Sequence, residues 1–197
     1  MKIAIDIGER LFVVLLAVPF VAAFLSAIRF HPMFILLALS EMPGVIFVLI
    51  RRPGEISVRA SSVFVAFAGT ALPLLIRPSG ASLVPSVVSS AVMLFGLSLS
   101  LLSKLYLNRS FGLIAANRGV KVGGPYQIVR HPMYLGYIIN QVGFLTASFS
   151  LANLSIYLLA WTLQIARVRE EEGMLQRDPA YRQFAERVRS RLIPRVY

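Results

Sequence analysis

Cysteine is absent from this chain, which excludes disulfides, thiolate nucleophiles, cysteine-ligated metals and prenylation of the chain itself. Charge is scarce: 15% of residues are charged, where a soluble domain carries about a quarter. Acid is the scarcer sign, with 9 Asp and Glu against 20 Lys and Arg. In a soluble protein a net charge of +11 would point to nucleic acid. Here the basic residues flank apolar runs, so anionic lipid and membrane topology account for them, and no nucleic-acid partner is expected. No metal site is expected either. What fills the sequence is hydrocarbon, at 57% hydrophobic residues and a mean hydropathy of +0.73. That composition reads as an integral membrane protein in contact with the lipid bilayer.

Apolar runs fall near residues 11–28, 32–50, 61–76, 83–102, 132–149 and 154–168. They predict an all-α, polytopic membrane helix bundle of about six transmembrane helices, folded as a single domain over 1–197. A cleaved signal peptide ending near Ala22 and Ala23 competes for the first run, but its length and the runs that follow favour a retained helix. Glu41, inside the second run, either has a function there or lies near a helix kink before Pro43. Ser86, Ser90, Gly96 and Ser100 are small residues at a spacing that lets membrane helices approach closely. Asn140 and Gln141 put amides inside the fifth run, to bond a neighbouring helix or to line a tunnel. The sixth run continues without a breaker to Arg177, which predicts one helix that leaves the bilayer still helical. Ala180–Arg191 is basic and amphipathic, as expected of a segment on the membrane surface.

The basic residues sort by side. Eighteen of the 20 Lys and Arg fall in the N-terminus, the 51–59 connection, the 104–130 connection and the stretch from Arg167 onward. Only Arg29 and Arg77 fall in the alternate loops. By the positive-inside rule both termini are expected in the cytoplasm; the membrane is expected to be a bacterial inner membrane.

Two polar knots interrupt this pattern on the cytoplasmic face. The first is GGPYQIVRHPMYLG at Gly123–Gly136. Gly123-Gly124-Pro125 signals a turn, and Pro132 suits a first helical turn with His131 at its cap. A helix start beside Arg130 and His131 is a seat for an anionic or hydrogen-bonding ligand; an interfacial aromatic and basic belt is the competing account. Tyr126 and Tyr134 offer ring faces and hydroxyls. The second knot is ARVREEEGML at Ala166–Leu175, on a helix. Arg167 and Glu171 lie four apart and can pair. Glu170-Glu171-Glu172 is the one strongly acidic patch of a basic chain, and three adjacent carboxylates call for a cationic or hydroxyl-rich partner.

GPYQIVRHPMYLG at Gly124–Gly136, the R-x-x-x-E-E-x-x-L pattern at Arg167–Leu175 and YRQFAERVRSRLIP at Tyr181–Pro194 carry a resemblance, with LNRSFG at Leu107–Gly112 ahead of them. Over about 105–197 the chain resembles the isoprenylcysteine carboxyl methyltransferase family, within the small membrane methyltransferases related to phospholipid N-methyltransferases. The first four runs carry no motif. The resemblance implies a helical membrane enzyme that uses S-adenosyl-L-methionine, releases S-adenosyl-L-homocysteine, and has a cytoplasmic cofactor pocket. It implies cofactor contacts at Tyr126, His131, Pro132, Met133, Tyr134 and Glu171, with Val120 and Lys121 alongside. It implies that Arg167 orients the acceptor, with Arg130 as a second cationic contact. The acceptor would be a lipophilic small molecule or a lipidated substrate methylated on a carboxylate. A phospholipid or amine N-methyltransferase is the alternative. A small transporter or scaffold using Glu41, Asn140 and Gln141, and a nicotinamide-dependent membrane reductase, are the readings outside this class.

Overall fold

The computed structural model describes residues 2–27, 35, 46–52, 54–57 and 59–196. Its helices are α1 (Lys2–Ala27), α2 (Ala60–Ala71), α3 (Ser86–Leu107), α4 (Pro132–Ala147), α5 (Leu151–Leu175) and α6 (Pro179–Arg187), with residues 46–50 also helical. Strand among the described residues is one two-residue ladder, β1 (Glu55–Ile56) antiparallel to β2 (Ala116–Asn117). The chain is mostly helical, as expected.

Local chemistry sets the helix ends. Pro132 and Pro179 take first-turn positions, where a missing N–H is harmless. Ser150 and Asp178 cap α5 and α6, accepting from the backbone N–H of Asn153 at 3.1 Å and of Ala180 at 2.9 Å. Near Pro73 the chain tightens from α2 into a 3-10 turn at Leu72–Leu75. The sixth run forms one continuous helix through its polar end, as its lack of a breaker predicted.

Two described stretches, Ser86–Ser110 and Leu151–Leu175, are long and apolar enough to cross a membrane. Ala60–Leu75 is apolar but shorter. The 16 residues of α4 span only about 24 Å, against a hydrocarbon core of about 30 Å. The expected second run lies largely outside the described residues, and Glu41 with it. The helical class therefore stands, while a count of six spans is not established.

The surface is inverted relative to a soluble protein. Val87, Leu151, Phe64 and Phe95 are exposed at 63–78%, while Ser89, Ser100, Ser103, Lys104 and Asn140 are buried. Hydrocarbon outside and polar groups inside fit a lipid solvent.

α3 and α4 meet along a seam of small residues. A Cβ on Gly96 would stand 2.7 Å from the carbonyl oxygen of Gly136, and one on Gly136 would stand 2.6 Å from the Ser100 nitrogen. Gly96 and Ser100 thus serve the close approach expected of them. Ser86 is exposed and Ser90 half-buried; Ser89 and Ser103 are buried in their place.

The four basic regions meet at one end of the bundle. Arg51 pairs with Glu9 and Asp6 of α1, and Glu9 accepts the Leu113 N–H at 2.7 Å. Arg52 donates its N–H to the Arg109 carbonyl at 2.7 Å, and the Asn117 amide donates to Asp178 at 2.9 Å. Arg77 belongs to another junction, where Asn153 of α5 holds its backbone and Ala81 bridges Phe149.

Gly96→Val should destabilise the detergent-solubilised protein by about 1–3 kcal/mol through overpacking of this seam. Gly8→Ala, whose added methyl meets nothing within 4 Å, should raise stability by up to about 1 kcal/mol through helix propensity. Thermal unfolding followed by circular dichroism reads both.

Candidate active site

Two clefts share one wall. The first lies between α1, α2, α4 and α5, lined by Val13, Ala17, Leu74, Leu113, Gln164 and Arg167 among others. The second, of about 740 Å³ and partly open, lies under α6 between the 107–121 connection, the start of α4 and the end of α5. Phe111, Met133 and Tyr134 line both.

The sequence motifs converge here. Val120, Lys121, Tyr126, Arg130, His131, Met133, Tyr134 and Glu171 all line the second cleft, while Arg167 lines the first. Pro132 is buried at the start of α4 but is not part of either lining. The turn that delivers Tyr126 depends on Gly124, whose φ of +57° suits glycine and whose Cβ would strike the Tyr106 ring.

The three adjacent glutamates fan out around α5, each to its own partners. Glu170 accepts from the hydroxyls of Ser61 at 3.1 Å and Ser62 at 2.6 Å, tying α5 to α2. Glu171 takes the Tyr134 hydroxyl and the Arg167 Nε at 3.3 Å, with His131 Nδ1 at 3.7 Å. Glu172 is buried and receives Arg130 through Nε at 2.8 Å and Nη2 at 3.0 Å. It also meets His131 Nε2 at 2.9 Å and accepts the Tyr181 hydroxyl at 2.7 Å. The cationic partners that this acidic run called for are thus met within the chain.

Arg130 uses its remaining terminal nitrogen on the carbonyls of Ala185, Val188 and Arg189 at 3.0–3.3 Å. Backbone bonds from Arg130 to Ser190 and from His131 to Arg191 continue the attachment. Its side chain thereby holds the C-terminal segment to the start of α4. α6 turns Tyr181 and Phe184 inward against Tyr126, over the second cleft. Its apolar face is therefore covered by protein, where the sequence suggested a membrane surface. Burial pushes both phenols up, with nearby glutamate charge second, so they remain neutral donors.

Arg167 donates Nη2 to the Gly112 carbonyl at 3.1 Å and stands over the Tyr134 ring at 5.3 Å. Its Nη1 makes no hydrogen bond among the described residues. Gln141 combines its two expected roles, accepting the Trp161 indole N–H at 2.7 Å and lining the first cleft. Asn140 instead lies at the α3–α4 seam.

Sequence reasoning missed Arg118, Tyr181 and Phe184 as cleft residues and Glu172 as their support. Tyr181 and Phe184 stand three apart on a nine-residue amphipathic helix, a pattern that signalled one apolar face but not its partner. Arg118 opens the segment whose Val120 and Lys121 the resemblance set alongside the cofactor, but its side chain was given no contact.

Glu172→Ala should cost about 3–5 kcal/mol, because it leaves the Arg130 charge buried without its carboxylate. Glu170→Ala, which loses an exposed bond from Ser61 and a part-buried one from Ser62, itself still bonded to Ser57, should cost about 1 kcal/mol. Melting temperatures of the two variants, compared side by side, check the contrast.

No curated protein matches the chain. Residues 113–177 match the model of the isoprenylcysteine carboxyl methyltransferase (ICMT) family, which supports a methyltransferase of that type. The match takes in two of the motifs, Gly124–Gly136 and Arg167–Leu175, and most of the second cleft's lining, and over these residues the chain is similar to the isoprenylcysteine carboxyl methyltransferase family.

Proposed function

We propose that this protein transfers a methyl group from S-adenosylmethionine to the carboxylate of a lipophilic acceptor drawn from the bilayer. The observation that carries this reading is the shared wall of the two clefts. Arg167 lies on one side of it and Glu171, one helical turn on, lies on the other. The residues of the second cleft fit such a cofactor. Tyr126, Tyr181 and Phe184 supply aromatic faces, Glu171 an anionic acceptor, and Arg118 a cation with a buried Nη2 that has no hydrogen-bond partner. When bound, S-adenosylmethionine supplies a methyl group activated by its sulfonium.

The chain's own task is alignment and exclusion of water. Tyr126, His131, Met133, Tyr134 and Glu171, with Val120 and Lys121 at the edge, hold the cofactor, and Pro132 sets the start of α4 beneath them. Arg167 offers Nη1 to the acceptor carboxylate, braced from behind by Glu171 and the Gly112 carbonyl. That acceptor is already ionised at neutral pH, its pKa being about 4, so no general base is needed. Val13, Leu74, Phe111 and Leu113 keep the first cleft apolar. No Asp or Glu lines that cleft among the described residues, which favours a carboxylate acceptor over an amine. Arg130 enters this reading as the clasp of the C-terminal segment, its donors being taken by Glu172 and backbone carbonyls. The bias of Lys and Arg, and the meeting of the four basic regions at one end, support cytoplasmic termini.

The purified protein should label a membrane lipid extract from methyl-labelled S-adenosylmethionine, and mild base should release the label from an ester. Base-stable label would favour N-methylation, and no label together with no binding of S-adenosylhomocysteine would overturn the reading. Arg167→Gln should cut turnover on the order of 100-fold by misplacing the acceptor, with S-adenosylhomocysteine binding retained. Glu171→Gln should weaken that binding in calorimetry.

A further inference from the structure

Arg118 is a charged side chain that the protein itself leaves incompletely used. Its stem and head are seated by glycines. A Cβ on Gly54 would come 2.6 Å from its Cγ, and one on Gly112 would come 2.5 Å from Nη1. Nε donates to the Arg52 carbonyl at 3.1 Å, and the Arg118 carbonyl accepts the Ser110 hydroxyl at 2.9 Å. The guanidinium is thus held in one place on the wall of the second cleft. Yet Nη2 is buried and has no hydrogen-bond partner, and no carboxylate forms an ion pair with Arg118 among the described residues. Burial, and then the charge of Arg51, pull its pKa down to about 10, which still leaves it a cation at neutral pH.

A half-buried guanidinium with one buried, unbonded donor and no ion pair is unfavourable, and a protein that keeps one fixed in a cleft has a use for it there. Arg130, in the same cleft, is by contrast fully occupied by Glu172 and backbone carbonyls. Glu171 contributes the opposite charge to the same cleft. One fixed cation and one carboxylate along one cleft complement a ligand that carries both a carboxylate and an amine or sulfonium.

From this juxtaposition we infer that Arg118 binds the carboxylate at the amino-acid end of the cofactor and makes the cleft selective for ligands that carry it. The inference rests on the reading of the second cleft as an S-adenosylmethionine site. Arg167 and Arg118 then divide the work across Gly112. Arg167 takes up that glycine's carbonyl and serves the first cleft, while Arg118 lies against its α-carbon and serves the second.

Calorimetric titration of the full-length protein in detergent tests this with two probes. One is S-adenosylhomocysteine; the other is its decarboxylated analogue, which keeps the adenosine, the thioether and the amine. Wild type should bind the first more tightly by about tenfold or more, the scale of a charge-assisted hydrogen bond. Arg118→Gln should bring S-adenosylhomocysteine down to the affinity of the analogue and leave the analogue unchanged. Arg118→Lys should recover part of the preference. Without ligand, Arg118→Gln should melt no lower than wild type, because the variant no longer buries a lone charge. Equal binding of the two probes by wild type overturns the role of Arg118 alone. A preference that survives Arg118→Gln, or a lowered melting temperature with the preference intact, overturns it too. Failure of wild type to bind either probe overturns the methyltransferase reading, and this inference with it.

Discussion

The carboxylate of Glu172 sits where α4 starts, where α5 runs out past its apolar stretch, and where the C-terminal segment folds back. Arg130, His131 and Tyr181 all converge on it from separate parts of the chain. A charge at that depth is tolerable only with such a set of donors. The same donors fix the rest of the second cleft. His131, bonded to Glu172 through one nitrogen, can turn its other nitrogen only toward Glu171. Tyr181, bonded to the same oxygen, brings Phe184 and α6 over Tyr126. A structural carboxylate therefore orients the cleft-lining groups around it.

The motif-free N-terminal half is tied into this arrangement by a second buried ion pair. Glu9 and Arg51 link α1 to the 51–59 connection, and Glu9 also holds the Leu113 N–H of the connection after α3. That connection carries Phe111 on the shared wall and Gly112 between the two arginines. α1, α2 and the 3-10 turn after it meanwhile supply Val13, Ala17, Gly69 and Leu74 to the first cleft. The early helices thus form a large part of the surface that faces the lipophilic acceptor in our reading, although no local pattern in them announces it.

Much of the second cleft was legible in sequence because its residues cluster at polar interruptions of apolar runs. Tyr126, His131 and Tyr134 on one interruption, and Glu171 on the other, stand out against hydrocarbon wherever they are placed in space. The small-residue seam was legible in kind but not in register. Gly96 and Ser100 face α4, whereas the face continues through Ser89 and Ser103, as a turn of 3.6 residues requires over that length. What stayed hidden depends on contacts between distant positions. Nothing near Glu172 reveals that Arg130, 42 residues earlier, closes on it. Nothing near Arg118 reveals that Gly54 and Gly112 make room for its side chain. Tyr181 and Phe184 looked like a membrane-facing stripe because covering by protein and covering by lipid produce the same pattern.

Tyr134 forms part of both clefts, and its hydroxyl is bonded to Glu171 while its ring lies beneath Arg167. The partition between the two compartments is therefore this buried, hydrogen-bonded ring with Met133 and Phe111 beside it. In our reading, a ligand that shifts this ring from one side alters the cavity on the other, and by linkage the effect on affinity is mutual. In that reading the two compartments form one thermodynamic unit rather than two receptors side by side.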